Sequence, residues 1–98
     1  MVAMNWKMAH QWETQQQELL EVDEETLLSL VVFNDEVNTF DHVIKTLVDV
    51  CGHTPEQAEQ CTLLIHYKGK CSVKVGGFDL LAPMRNDICG RGISAEVL

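Results

Sequence analysis

The chain has 98 residues, 46% of them hydrophobic, and its formal net charge is −8 at neutral pH. This length allows one domain with one modest core, and the acidic balance disfavours nucleic acid, whose phosphates bind clustered Lys and Arg. No apolar run reaches the roughly 18 residues that a membrane span needs, and the N-terminus lacks a signal-peptide pattern. We therefore expect a cytoplasmic monomer that binds neither nucleic acid nor membrane.

Residues 1–26 differ in composition from the rest of the chain. They are rich in Gln, Glu and Met, and six acidic residues against one Lys give them a net charge of −5. Trp6 and Trp12 are their only strong apolar anchors. We expect a flexible acidic N-terminal extension followed by one folded domain over residues 27–98.

The folded part is predicted to begin with a buried strand over residues 27–33, a short apolar run rich in β-branched residues. A polar loop, residues 34–38, follows. Asn38 is a good N-cap, and apolar residues then recur on one face of a predicted helix over about 39–51. Gly52 is well placed to end this helix in a left-handed turn.

A second helix is predicted from a stronger start signal. Residues 54–57 (Thr-Pro-Glu-Gln) have the sequence of a capping box with Pro at the first helical position, and residues 67–69 close the helix. A half-exposed strand follows at 70–75, in which Cys71, Val73 and Val75 are expected to face inwards.

The last third of the chain predicts one more helix and one more strand. Residues 78–89 have helical periodicity, with Phe78 expected on the buried face, but Pro83 predicts a kink or a later start near residue 82. Residues 93–98 alternate as a strand. The order βααβαβ predicts an α+β two-layer domain in which a three-stranded sheet packs against three helices.

The predicted order brings four polar side chains together. Helix two packs antiparallel to helix one, so its end lies near the loop that follows strand one. Asn34, Asp35, Glu36 and His66 can therefore converge above the apolar helix faces, as a small binding pocket requires. Such acceptors suit an ammonium beside a hydrophobic side chain, which is the N-terminus of a peptide that begins with a large apolar residue.

Simpler interpretations remain open for each of these residues. Asn and Asp after a strand often form turns, and a histidine near a helix C-terminus often caps carbonyl groups. The alternative function is therefore a non-catalytic interaction or regulatory domain of the same fold that does not recognise an amine.

The cysteines and remaining motifs argue against catalysis and metal binding. The chain has four cysteines, Cys51, Cys61, Cys71 and Cys89. They are separated by 10, 10 and 18 residues without a CxxC pair, so we interpret them as small buried hydrophobic residues. A third possibility is a metal or redox protein that uses His42, His53 and the cysteines. The chain has no nucleophile–base motif, phosphate-binding glycine loop or HExxH sequence, so we expect no enzyme, cofactor or metal.

Three segments resemble the ClpS adaptor family, the bacterial N-degron recognition proteins of the Clp protease. They are residues 31–36 (Val-Val-Phe-Asn-Asp-Glu), residues 40–44 (Phe-Asp-His-Val-Ile) and residues 65–70, which match the family's His-Tyr-x-Gly-Lys element in full. The resemblance covers residues 27–98. It implies an adaptor that binds substrates beginning with Leu, Phe, Tyr or Trp and delivers them to a ClpA- or ClpC-type unfoldase.

The resemblance also implies roles for individual residues. Asn34 and His66 match family residues that hold the substrate's α-amino group, and Glu36 stands where the family usually has an Asp that shares this task. Asp79 and Leu80 lie near the family's unfoldase-docking surface. The residues expected to line the side-chain pocket are Phe33, Phe40, Val43, Thr62, Ile65 and Ile93.

The chain departs from the family pattern at three of these positions. Glu36 is one methylene longer than Asp, while Phe40 and Thr62 stand where Met is common. A large Phe and a small Thr compensate in volume. The resemblance therefore leaves open the ranking of Leu, Phe, Tyr and Trp as first residues.

Overall fold

The computed structural model describes residues 27–98, so the predicted extension over residues 1–26 lies outside the described part of the chain. Three strands and three helices follow one another in the predicted order, and the predicted α+β fold class is confirmed. The elements are β1 (Leu28–Phe33), α1 (Phe40–Cys51), α2 (Pro55–Lys68), β2 (Lys70–Gly76), α3 (Phe78–Gly90) and β3 (Ala95–Val97).

Strand β1 is the centre of the sheet, which has the order β2-β1-β3 with both pairs antiparallel. At the end of β1, Phe33 pairs with Lys70, and the backbone N–H of Asn34 donates to the Gly69 carbonyl at 2.9 Å. On the other side, the Phe33 N–H donates to the Ser94 carbonyl at 3.0 Å. The loop after β1 is therefore fixed between the end of α2 and the start of β3.

One face of the sheet carries all three helices. Leu30 and Val32 of β1 pack in a single core cluster with residues of every helix, including Leu47, Leu81 and Ile88. Burying a side chain of this size contributes about 1.5–3 kcal/mol. This packing holds the ends of α1 and α2 in fixed positions beside β1.

The helix caps agree with the sequence at α2 and differ at α1. The predicted capping box is present at α2, where Thr54 and Gln57 exchange hydrogen bonds. The prediction of Asn38 as the cap of α1 is wrong, because the Thr39 hydroxyl accepts the hydrogen bond from the His42 N–H at 3.1 Å. Asn38 makes tertiary contacts instead.

Helix α3 begins at Phe78 and runs through Pro83 to Gly90, so the predicted later start near residue 82 is wrong. Its first turn closes before the proline is reached, since the Leu81 N–H donates to the Gly77 carbonyl at 3.0 Å and Leu81 is fully buried. Pro83 therefore costs the helix one hydrogen bond. Phe78 is 60% exposed, which corrects its predicted place in the core.

Strand β2 contains a bulge that changes its alternation. Leu30 pairs with Lys74, but the next residue, Val31, pairs with Ser72, so Val73 is the extra residue. A bulge shifts the following side chains to the other face of a strand. Val73 is buried whereas Val75 is 55% exposed, so the expectation that Val75 faces inwards is wrong.

The cysteines are more varied in burial than the sequence predicts. Cys51 is buried, Cys61 and Cys71 are half-buried, and Cys89 is exposed, which corrects its interpretation as a core residue. Burial raises the pKa of the Cys51 thiol, and burial beside Cys61 raises the pKa of Cys71 to about 12. Such thiols are poor nucleophiles at neutral pH.

Candidate functional site

The end of β1 opens into a cavity of about 260 Å³ between α1, α2 and the turn before β3. This volume lies just below the roughly 300–1,000 Å³ of sites for drug-sized ligands, so it suits a single amino-acid side chain. The structure brings all ten residues of the predicted amine-binding group and side-chain pocket to its walls. These are Asn34, Asp35, Glu36, His66, Phe33, Phe40, Val43, Thr62, Ile65 and Ile93.

The floor of the cavity is apolar. Val43, Ile65 and Ile93 are buried, and Thr62 is only 2% exposed. The Thr62 hydroxyl donates to the Ala58 carbonyl one turn earlier at 2.7 Å, so its donor is already used within α2. The floor can accept a hydrophobic side chain without leaving that hydroxyl unpaired.

Within residues 27–98, the cavity walls carry acidic side chains and neither Lys nor Arg. Among the residues that line this cavity, two are carboxylates, Asp35 and Glu36, and none is Lys or Arg. Asn34 and Glu36 are exposed, so their side-chain oxygens are open to solvent at the rim. A cavity with this rim favours a ligand with a cationic or donor-rich group at its outer end.

Asp35 has a structural task within the loop. Its Oδ1 accepts the backbone N–H groups of Val37 and Asn38, each at 2.9 Å, and its Oδ2 accepts from the Asn38 amide at 2.7 Å. These bonds, led by the one from the Asn38 backbone, lower the pKa of Asp35 below its ordinary value. For this residue the turn-forming interpretation has direct support, because its carboxylate organises the loop.

His66 lies in the last turn of α2 between two aromatic rings. Its ring centre is 5.2 Å from that of Phe40, with the planes at 71°, and 4.7 Å from that of Tyr67, with the planes at 80°. Both are edge-to-face arrangements. The exposed imidazole is thus held beside the opening, where Phe40 is itself 39% exposed.

The other histidines considered from sequence bind backbone carbonyls. His42 Nε2 donates to the Arg91 carbonyl at 2.8 Å, and His53 Nε2 donates to the Val73 carbonyl at 2.7 Å. Among residues 27–98, no group of three or more His, Cys, Asp or Glu side chains has the arrangement of a metal site. His42 therefore ties α1 to the turn before β3, and His53 ties the loop between α1 and α2 to β2.

Sequence reasoning missed three residues of the cavity wall. Val32, Asn38 and Thr39 also line it. The apolar run predicts that Val32 is a core residue, and the residue type of Asn38 predicts a helix cap. The loop's polar composition was the only sequence signal that could have included Asn38 and Thr39.

Asp79 and Leu80 lie away from this cavity. They belong to the first turn of α3, directly after the end of β2 at Gly76, so they stand at the opposite end of the sheet. Both are exposed, Leu80 by 47%. No helix in the described range 27–98 is long and apolar enough to cross a membrane.

Comparison with solved structures gives a close match in fold. The structure of Agrobacterium tumefaciens ClpS2 bound to L-phenylalaninamide superposes with a TM-score of 0.72, covering 74% of this chain and 95% of that chain at 15% sequence identity. This likeness shows the same fold. Among curated protein sequences, none matches the chain.

The family comparison agrees with the structural one. The family model described as "ATP-dependent Clp protease adaptor protein ClpS" matches residues 23–92 of the 98-residue chain. This match includes the loop after β1, both helices that flank the cavity and the first turn of α3. The chain therefore belongs to the ClpS family of Clp protease adaptor proteins, which are adaptors and not catalysts.

Proposed function

We propose that this chain is an N-degron adaptor that reads the free α-amino group and the bulky hydrophobic first residue of a substrate. The observation that carries the proposal is one cavity with an apolar floor and a rim that holds two carboxylates and no cationic side chain. This combination matches the two ends of an unmodified N-terminal Leu, Phe, Tyr or Trp. Family membership supports the same role.

The first side chain of the substrate enters the cavity. It packs on the buried residues Val43, Ile65 and Ile93 and on Phe40 at the opening. Burying a side chain of the size of Leu or Phe contributes roughly 1.5–3 kcal/mol. Residues with small or polar first side chains lose this contribution and bind weakly.

The substrate ammonium is read by three groups at the rim. The Asn34 side-chain carbonyl and the Glu36 carboxylate accept two of its N–H donors, and an imidazole nitrogen of His66 accepts the third. Asp35 supports this set by holding the loop through its bonds to Val37 and Asn38. An acetylated N-terminus lacks the charge and keeps only one N–H donor, which costs about 1–3 kcal/mol for each acceptor left unpaired.

A ligand seen in a relative supports this assignment. ClpS2 of Agrobacterium tumefaciens has been observed with L-phenylalaninamide, which carries a free α-amine beside a benzyl side chain. Those are the two features that the cavity of this chain would recognise. No bond of the substrate is broken at this site, and proteolysis belongs to the Clp protease.

Delivery requires a second surface. We assign it to the first turn of α3, where Asp79 and Leu80 are exposed at the far end of the sheet. A ClpA- or ClpC-type unfoldase docked there in the cytoplasm would leave the substrate cavity accessible.

A peptide pull-down tests the recognition step. One peptide sequence is prepared with Leu, Phe, Val, Met or acetyl-Leu at its first position, and capture by the chain is compared. We expect capture of the Leu and Phe peptides and loss of the acetyl-Leu peptide. Equal capture of the Leu and acetyl-Leu peptides would remove the proposal and leave an interaction domain that does not recognise an amine.

A further inference from the structure

The side chain of Asn38 connects two parts of the molecule that are far apart in sequence. Its Nδ2 donates to Asp35 Oδ2 at 2.7 Å and to the Gly92 carbonyl at 2.9 Å. We name this pair of hydrogen bonds the Asn38 bridge. The first bond lies within the loop after β1, and the second reaches 54 residues along the chain to the turn between α3 and β3.

The turn at Gly92 determines where one wall of the cavity stands. Gly92 has a φ of +86°, which favours glycine because it has no Cβ, and the next residue, Ile93, is buried and lines the cavity. The neighbouring Arg91 carbonyl accepts from His42 of α1. The turn is thus tied to α1 by His42 and to the loop by Asn38.

We infer that Asn38 is a positioning residue that couples the amine rim to the side-chain pocket, an inference that rests on the proposed function. Through Asp35 it holds the loop that carries Asn34 and Glu36. Through Gly92 it holds the turn that carries Ile93. A single amide therefore keeps the ammonium site and the far wall of the pocket at a fixed separation.

The bridge uses both N–H donors of the Asn38 amide nitrogen, which is the full number that such a nitrogen has. The Asp35 carboxylate makes one of these a charge-assisted bond, which is stronger than a neutral one. Without the bond from the Asn38 side chain to Asp35, the loop keeps only the two backbone hydrogen bonds to Asp35 Oδ1.

Calorimetry on three variants of the full chain tests the coupling. Asn38→Ala removes the bridge, Asn38→Leu removes its donors at similar side-chain volume without adding charge, and Thr54→Ala removes a cap at the start of α2, away from the cavity. We expect both Asn38 variants to bind L-phenylalaninamide about tenfold more weakly. Their preference for the free over the acetylated amide, and for Phe over Ala, should both fall, whereas Thr54→Ala loses stability and keeps both preferences.

A double variant distinguishes positioning from direct contact. If Asn38 acts partly through Asp35, combining Asn38→Ala with Asp35→Ala should weaken binding by less than the product of the two separate effects. Fully multiplicative effects, or unchanged preferences in both Asn38 variants, would overturn the inference.

Amide hydrogen exchange without ligand separates this inference from the proposed function. In Asn38→Ala we expect faster exchange at Val37, in the loop, and at Ile93, beyond the turn. Faster exchange confined to the loop would overturn the coupling even if the wild-type chain prefers a free amine. A wild-type chain that binds free and acetylated amides equally would overturn the proposed function, and the exchange result would then decide the structural coupling alone.

Discussion

The two ends of the sheet differ in what they present to solvent. The end formed by Phe33, Lys70 and Ile93 holds a cavity with an apolar floor and an acidic rim. Within residues 27–98, the opposite end, formed by the start of β1 and the ends of β2 and β3, exposes large hydrophobic side chains. These are Leu27, Val75, Phe78, Leu80 and Leu98.

This difference separates two kinds of recognition. A concave site with a few polar groups suits a small group such as one amino-acid residue, whereas exposed apolar side chains suit a protein surface. The six residues of β1 keep the two ends about 20 Å apart. An adaptor with this arrangement can hold a substrate and a partner at the same time, and substitutions at one end should leave the other unaffected.

The largest effect on peptide affinity is expected from substitutions in the rim that binds the ammonium. Asn34→Ala and His66→Ala each remove one acceptor of the ammonium, so each should weaken binding of a Phe-initiated peptide at least about tenfold. Both side chains are exposed, so melting temperatures should change little. Fluorescence anisotropy gives the affinities, and Asn86→Ala, an exposed amide on α3, is the matched control that should bind like the wild type. Normal binding by both rim variants would contradict the proposed roles.

Substitutions at the opposite end of the sheet should weaken unfoldase binding and leave peptide binding unchanged. Leu80→Ser removes an exposed apolar side chain, and an anchor of this kind contributes enough that its loss should weaken unfoldase binding about tenfold. Peptide binding should stay at the wild-type value. Surface plasmon resonance with a ClpA- or ClpC-type unfoldase measures the first quantity. A variant that binds unfoldase normally would move the docking surface elsewhere.

Alkaline pH should weaken amine binding. Free α-amino groups have pKa values of about 7.7–8.0, so the substrate loses its charge and one N–H donor as the pH rises through this range. The affinity for a Phe-initiated peptide, measured by fluorescence anisotropy, should therefore fall several-fold between about pH 7 and pH 9.5. A flat profile over this range would contradict recognition of the charged amine.

A smaller effect is expected from Phe40. Its edge-to-face contact with His66 is of a type that contributes about 0.5–1.5 kcal/mol, and its ring narrows the opening of the cavity. Phe40→Leu should change the ratio of Trp to Leu affinity by a few fold in favour of Trp, because the opening widens. Competition binding with Leu- and Trp-initiated peptides measures this ratio, and an unchanged ratio would remove Phe40 from the specificity determinants.

The smallest expected effect is an acid dependence of stability through Asp35. The bonds from Asn38 and Val37 hold the pKa of this carboxyl below its ordinary value in the folded chain. Its contribution is therefore present above the unfolded pKa of about 3.9 and is lost as pH falls through the lower folded value. The melting temperature should fall more steeply between pH 5 and pH 2.5 in the wild type than in Asp35→Asn. Equal slopes of melting temperature against pH in the two proteins would contradict a lowered pKa of Asp35.

Local patterns were sufficient to predict most of the fold. The capping box at Thr54 and the glycine at the end of α1 act within a few residues, so the sequence carries their full signal. The convergence of Asn34, Glu36 and His66 followed from element order alone, because a loop after a central strand must lie beside the helix end that flanks it.

The errors arise where a distant contact overrides a local preference. Asn38 is a good cap by composition, but its amide binds a carbonyl 54 residues away, and Thr39 caps the helix instead. Val75 follows the alternation of β2 until the bulge at Val73 reverses it. Asp35 differs from these two cases, because its carboxylate accepts backbone N–H groups only two and three residues ahead; its predicted contact with the ammonium stays a prediction.

The cavity is proposed to bind a free α-amine together with a hydrophobic side chain. Calorimetric titration of the wild-type chain with L-phenylalaninamide and with its N-acetyl derivative tests this proposal most directly, because the two ligands share the side chain and differ at the amine. We predict an affinity for the free amine at least about a hundredfold higher, from the loss of two or more paired acceptors. Equal affinities, or no binding of either ligand, would contradict the account.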